Sequence, residues 1–96
     1  MTEYRLSERA DADLSSIFVY GFEQFGERQA ARYFEELKGV FDKLAQFRKM
    51  GRRADSIRNG LRRHEHGSHV IFYVEESEGI VIVAVVHAQS LRGLDL

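Results

Sequence analysis

Arginine and lysine side chains are concentrated in one stretch of this chain. Residues 48–63, called the basic segment below, contain seven of its 14 Lys and Arg residues and a single acid, Asp55. The planar guanidinium group binds phosphate oxygens two at a time, so the segment could hold a phosphate backbone or an acidic partner. The alternative is a solvated loop that balances the acidic remainder. Asp55 is expected to pair with a flanking arginine and to hold the shape of the loop. The segment contains no aromatic residue to stack on bases, and no sequence-specific nucleic-acid binding is predicted.

Three histidines follow this segment closely. His64 and His66 would share one face of a strand, and His69 would lie across a turn from them. Metal ions need three or four ligands that converge. No cysteine or aspartate stands near this His-x-His pair, and the facing of His69 is open. The sequence therefore predicts neither a metal site nor a cofactor, and His69 is expected to form a structural hydrogen bond.

Length and composition indicate a single domain over residues 1–96. The chain is 44% hydrophobic and 30% charged, which is typical of a globular protein. It has no cysteine, so disulfides are excluded. No apolar run is long enough for a signal sequence or a membrane span. A cytoplasmic protein without a membrane partner is expected.

Two helices must precede the basic segment. Ser7 stands at an N-cap position, and apolar residues then recur at steps of three and four, which predicts a helix over residues 8–24. Gly26 is expected to end it, because glycine adopts positive φ without steric cost. A second periodic stretch predicts a helix over residues 27–47. Such a short break favours an antiparallel helix hairpin.

Strand patterns surround this hairpin and complete an α+β domain. Glu3–Leu6 alternates apolar and charged residues, and Leu61–His66, residues 69–74 and residues 80–86 follow the basic segment. Gly67 and Ser68 predict a tight turn, and the continuous β-branched run of the last strand predicts a central or doubly covered position. The expected order is β-α-α-β-β-β, with the basic segment as a loop. The hairpin should pack on one face of a small twisted antiparallel sheet whose other face is exposed.

Five motifs occur in register along the chain. They are Y-x-L-S-x-x-A-x-x-D-L-x-x-I from Tyr4, F-G-x-x-Q-A-x-x-Y from Phe25, G-R-x-x-D-x-I-R-x-G-L-R from Gly51, G-S-H-x-I-F-Y from Gly67, and a hydrophobic strand that ends in His87. With these motifs the chain resembles the ParE toxins of bacterial toxin–antitoxin operons, within the wider RelE/ParE superfamily. The resemblance extends from Tyr4 to His87.

The resemblance implies a toxin of a type II toxin–antitoxin system that binds and poisons DNA gyrase. It also implies a ParD-like antitoxin that neutralises the toxin in a hetero-oligomer, and it implies no metal or cofactor. The residues expected to contact the target are Arg52, Arg53, Arg58, Arg62, Gln89 and Arg92. Those expected to contact the antitoxin are Phe18, Phe22, Phe34 and Phe41.

Two other functions stay open at this point. Superfamily relatives of the RelE kind cut mRNA on the ribosome, which here would use Arg58 and Arg62 as phosphate clamps, His87 as general acid and Glu65 as general base. In the simpler interpretation, His87 merely ends a strand and binds backbone. The tail after His87 also lacks the Arg-Met-Asp element common in the family. A toxin-derived binding module that has lost its activity is therefore the third possibility.

Overall fold

A computed structural model describes residues 3–96 and shows two helices packed on a five-stranded sheet. The strands are β1 (Glu3–Leu6), β2 (Arg52–Arg53), β3 (Leu61–His66), β4 (His69–Glu76) and β5 (Gly79–His87). The helices are α1 (Glu8–Phe25) and α2 (Glu27–Gln46), and a short 3₁₀ helix (Ala88–Ser90) follows β5. None of the helices in this part of the chain is both long and apolar enough to cross a membrane.

The helix boundaries confirm the local signals in the sequence. The Oγ atom of Ser7 accepts a hydrogen bond from the Ala10 amide at 3.0 Å, which caps α1. The same hydroxyl donates to the Val83 carbonyl at 2.8 Å and so fixes the start of α1 against β5. Gly26 separates the two helices with a φ of 90°, a value that favours glycine.

The sheet is mixed, so the prediction of an antiparallel sheet was wrong. Its strand order is β1-β5-β4-β3-β2, and β1 lies parallel to β5, with Tyr4 opposite Ile80. The other three pairings are antiparallel. Parallel neighbours need a long crossover connection, and the helix hairpin lies within the connection that joins β1 to β5. The strand β2 is also a correction, because the basic segment was predicted to be a loop throughout.

The main hydrophobic core lies between the helix hairpin and one face of the sheet. The helices contribute Leu14, Leu37 and Phe41, each 4% exposed or less, and the sheet contributes Tyr73 and Ile82, both fully buried. Burial of such side chains stabilises the fold by about 1.5–3 kcal/mol each. This packing confirms that the hairpin covers the sheet.

A second hydrophobic cluster covers the opposite face, which was predicted to be exposed. Its fully buried members include Leu61, Phe72 and Ala84. Covering side chains come from the basic segment and from the C-terminal tail (residues 88–96), namely Ile57, Leu91, Leu94 and Leu96. The reason is that β4 and β5 are apolar on both faces, so both faces must be removed from water. The double coverage predicted for β5 is thereby confirmed.

Candidate functional site

The basic segment is anchored to the sheet through the hydroxyl group of Tyr73. This hydroxyl accepts a hydrogen bond from the Gly51 amide at 2.9 Å and donates one to the Arg48 carbonyl at 2.8 Å. Gly51 is buried here, and a Cβ atom on it would lie 2.6 Å from the Tyr73 oxygen. Burial raises the pKa of Tyr73, which keeps the hydroxyl protonated as the donor to Arg48.

Asp55 holds the shape of the next turn, as the sequence predicted. Its carboxylate accepts a hydrogen bond from Arg53 Nε at 2.6 Å and another from the Gly60 amide at 2.8 Å. The Arg53 bond, followed by that of Gly60, holds the pKa of Asp55 below its ordinary value. The loop that carries Arg58 therefore has a defined conformation.

Two glutamates neutralise much of the charge of the basic segment. Glu65 forms ion pairs with Arg52 and with Arg63, the latter at 3.3 Å. Burial alone would raise the pKa of Glu65, but the hydrogen bond from Arg52 and the two guanidinium charges outweigh it and lower the pKa. Glu75 lies 3.3 Å from Arg62, and Arg62 also donates to the Gly51 carbonyl at 2.8 Å.

Arg58 differs from the other arginines of the basic segment. It is exposed, and within residues 3–96 it has no ion pair and no side-chain hydrogen bond. The side chain of Arg62, by contrast, is 14% exposed, and its guanidinium group binds both the Glu75 carboxylate and the Gly51 carbonyl. Arg62 therefore acts as a structural residue of the loop. Of the two arginines predicted as phosphate clamps, only Arg58 is free to meet a partner.

The predicted contact residues of the tail are accessible. Arg92 is exposed, and so is Gln89, whose backbone amide donates to the Nδ1 atom of His87 at 3.1 Å. This hydrogen bond agrees with the interpretation in which His87 ends a strand and binds backbone.

The four phenylalanines predicted to face an antitoxin have different environments. Phe18 and Phe34 are half-buried and touch edge to face, with ring centroids 5.9 Å apart. Phe22 is 49% exposed and accessible to a partner. Phe41 is fully buried and packs on Tyr4, so its selection as a contact residue was wrong. It lies on the helix stripe that faces the sheet, and that position assigns it to the core.

The hairpin also exposes apolar side chains that the sequence analysis did not select. Val19 and Tyr20 are 54% and 57% exposed, and they line an open groove on α1 with Ser15, Ser16 and Glu23. Both lie outside the apolar stripe that α1 buries. An apolar residue on the polar side of an amphipathic helix was the signal that could have identified them.

Three histidines form a row across the sheet on the face that bears the helices. His66 pairs with His69 across the β3–β4 turn, and His69 pairs with His87 on β5. Tyr33 of α2 lies over the row, and its Oη atom is 2.6 Å from His69 Nδ1 and 3.2 Å from the His66 carbonyl. The structural hydrogen bond expected of His69 is therefore present. No group of three potential ligands within residues 3–96 converges on a metal position.

The general base and the general acid of the RNase hypothesis, Glu65 and His87, do not lie on the same face of the sheet. Glu65 pairs with Val70, whose side chain belongs to the second hydrophobic cluster, so Glu65 faces away from the helices. His87 pairs with His69, whose side chain contacts Tyr33 of α2, so His87 faces the helices. A general base and a general acid on opposite faces of one sheet cannot act on the same phosphate.

The fold and its surface define a class: a small α+β domain that exposes apolar side chains on a helix hairpin and a free cation on a shaped loop. A family model described as "ParE toxin of type II toxin-antitoxin system, parDE" matches residues 4–91. The chain belongs to this family of toxins. The resemblance drawn from the five motifs is thereby confirmed.

Relatives and a solved structure agree with this assignment. The chain is 40% identical over 87 residues to "Toxin ParE1" of Caulobacter vibrioides. The matched residues make up 91% of this chain and 90% of the relative. It is 37% identical over 87 residues to "Toxin ParE1" of Mycobacterium tuberculosis, with 90% and 89% covered. A structure titled "Chromosomal ParDE TA system from P. aeruginosa" superposes with a TM-score of 0.76 at 19% identity, over 91% of this chain and 96% of that one. This last similarity confirms the fold.

Proposed function

We propose that this ParE-family toxin acts in the cytoplasm by binding DNA gyrase and poisoning it, and that a ParD-like antitoxin neutralises it. The observation that carries the antitoxin part of the proposal is the surface of the helix hairpin. Val19, Tyr20, Phe22 and Phe25 are 49–62% exposed on a single helix of 18 residues. Exposed apolar side chains at this density mark a protein–protein contact.

The hairpin surface supports an antitoxin as the partner on this side. An amphipathic helix that binds such a surface would cover part of this set of apolar side chains, because the four do not all lie on one face of α1. α1 carries four acids and one arginine, so a basic or neutral helix fits better than an acidic one. Aromatic side chains contribute strongly to interfaces of this kind, which assigns the largest part of the affinity to Tyr20, Phe22 and Phe25.

The target side of the proposal rests on Arg58 and the tail. Arg58 is exposed on a loop whose shape Asp55 fixes, so it can meet an acidic or phosphate-bearing surface without first breaking an ion pair. Gln89 and Arg92 lie in the tail, which packs on the sheet face opposite the helices. Binding rather than catalysis fits this arrangement, because the acid and the base of the RNase hypothesis face opposite sides of the sheet.

The decisive experiment expresses the chain without an antitoxin. Growth arrest with a DNA-damage response, and inhibition of supercoiling by purified gyrase, are the expected results. Rapid arrest of translation with cleaved mRNA that disappears in His87→Ala would instead support the RNase, and no arrest at all would support the inactive module. Arg58→Glu should weaken gyrase inhibition by about tenfold or more, as expected when one charged contact is reversed. Arg28→Glu, which changes an exposed arginine of α2, is the matched control.

The antitoxin side has its own test. Phe22→Ala and Tyr20→Ala should each weaken binding of the cognate antitoxin by about tenfold or more while gyrase inhibition is retained. Gln24→Ala removes an exposed polar side chain from the same helix and is the control. Wild-type antitoxin affinity in both aromatic variants would place the antitoxin elsewhere.

A further inference from the structure

The row of three histidines joins three parts of the chain that are distant in sequence. It connects the β3–β4 turn, the end of β5 and, through Tyr33, the middle of α2. The tail begins directly beside it, because the Ala88 amide donates to the Ser68 carbonyl at 2.8 Å. A change of charge in the row therefore acts where the tail leaves the sheet.

His87 holds the first turn of the tail through an unprotonated nitrogen. Its Nδ1 atom accepts the hydrogen bond from the Gln89 amide at 3.1 Å and caps the 3₁₀ helix Ala88–Ser90. A protonated imidazole has an N–H at both nitrogens and accepts nothing. In a protonated His87, the N–H at Nδ1 would face the N–H of the Gln89 amide, and two donors cannot form a hydrogen bond, so the cap must break.

The side chains next to His87 are also histidines, and few negative charges lie near them. His69 faces it with ring centroids 5.5 Å apart, and His66 follows across the turn. From α2, Tyr33 contacts both His66 and His69, and Glu36 lies 3.4 Å from His66 Nε2. Glu36 is the single carboxylate hydrogen-bonded to the row within residues 3–96. Like charges directly opposite each other on neighbouring strands are unfavourable.

We propose that His66, His69 and His87 form a pH-sensitive clasp that holds the start of the C-terminal tail at neutral pH and releases it in mild acid. Histidine is the side chain whose charge changes in this range. Burial, followed by the charges of His87 and His66, lowers the pKa of His69. His69 therefore stays neutral longer than an ordinary histidine, and the folded joint loses stability as the pH falls below about 6.5.

The tail is the element that this release would change. Beyond the 3₁₀ helix, Leu91, Leu94 and Leu96 are half-buried against the second hydrophobic cluster. Release of the turn would leave the Ala88–Ser68 hydrogen bond and these three side chains as the remaining attachments of the tail. The Tyr33 hydrogen bonds survive, because a protonated His69 can donate to Tyr33 while Tyr33 donates to the His66 carbonyl. The helix hairpin therefore stays docked while the tail opens.

Nuclear magnetic resonance of the full chain tests this proposal. Long-range ¹⁵N–¹H spectra should show an unprotonated Nδ1 in His87 at pH 7.5. The protection factor of the Gln89 amide should fall by about tenfold between pH 7.5 and pH 5.5, the size expected for the loss of a cap. Amides of the β5 interior, such as that of Ala84 opposite Phe72 on β4, should keep their protection over the same range.

Two variants make the result specific. His87→Asn retains a capping acceptor that does not titrate, so the protection of Gln89 should become independent of pH. His64→Asn removes the histidine that lies outside the row and should behave like the wild type. Constant Gln89 protection in the wild type would overturn the proposal. A parallel loss at Ala84, which signals global unfolding, or a flat response in His64→Asn would overturn it as well.

Discussion

Replacing Tyr73 by phenylalanine removes one hydroxyl group from the point where α2, the basic segment and the sheet meet. The ring of Tyr73 is fully buried in the main core, and phenylalanine fills the same space. The hydroxyl accepts from the Gly51 amide at 2.9 Å and donates to the Arg48 carbonyl at 2.8 Å. The substitution therefore tests the two hydrogen bonds separately from the packing of the ring.

The size of the effect depends on the two backbone groups that lose their hydrogen-bond partner. Gly51 is buried, so its amide would lose its partner without gaining water, which costs about 1–3 kcal/mol. Arg48 is half-buried, and water can replace part of its bond, so that loss is about 0.5–1 kcal/mol. Together these give a loss of about 1.5–4 kcal/mol. A domain of 96 residues has a total free energy of unfolding of about 5–14 kcal/mol, so the loss should be conspicuous.

Urea unfolding followed by circular dichroism measures this difference. With a slope of about 2 kcal/mol/M, the midpoint should move down by about 0.7–2 M. Tyr20→Phe is the matched control, because Tyr20 is 57% exposed and its hydroxyl has no hydrogen bond to another residue of the described part of the chain. A Tyr73→Phe midpoint within about 0.2 M of the wild type would refute the argument that this hydroxyl anchors the basic segment.

Five further substitutions, which make up three tests, examine other parts of the fold. Gly51→Ala should destabilise the protein by about 1–3 kcal/mol in urea unfolding, because the new Cβ would lie 2.6 Å from the Tyr73 oxygen and 2.9 Å from the Arg63 carbonyl. Its control is Gly39→Ala, at an open helical position, which should instead stabilise the protein by about 0.5–1 kcal/mol. Phe41→Ala should cost about 3–5 kcal/mol in urea unfolding, whereas Phe22→Ala should change stability by less than about 1 kcal/mol. Asp55→Asn should flatten the acid-dependent loss of stability below pH 4. The lowered pKa of Asp55 means that its carboxylate stabilises the fold when the pH is above the ordinary pKa of aspartate, and this contribution disappears as the folded carboxylate is protonated. An unchanged pH profile of unfolding would contradict the role of the Arg53–Asp55 pair.

The helices and turns were predictable because their signals are local. Ser7 caps α1 through its own neighbour three residues on, and Gly26 ends the helix through its own φ. The Gly67–Ser68 turn likewise depends on adjacent residues. Apolar residues at helical spacing located α2 at Glu27–Gln46, within one residue of the prediction. Interactions within a few residues leave a readable pattern in the sequence.

The candidate site was harder to predict, because it depends on which charges meet. The sequence identified the basic segment, but the pairing of Arg52 with Glu65 follows from the β2–β3 register, which places Arg52 opposite Arg63. The contacts of Arg62 with Glu75 and with the Gly51 carbonyl make it structural, whereas Arg58 is free. Phe22 and Phe41 belong to the same residue type, yet one is exposed and the other is core. Only the packed structure distinguishes them.

The sequence by itself therefore determined the order of the elements, the limits of the helix hairpin and the family of toxins to which the chain belongs. The tertiary structure decided the parallel pairing of β1 with β5, the cover that the tail gives to the second sheet face, and the row His66–His69–His87. Each of these joins residues from distant parts of the chain. Such contacts are selected by burial and strand register over the whole domain, and no short stretch of sequence contains that information.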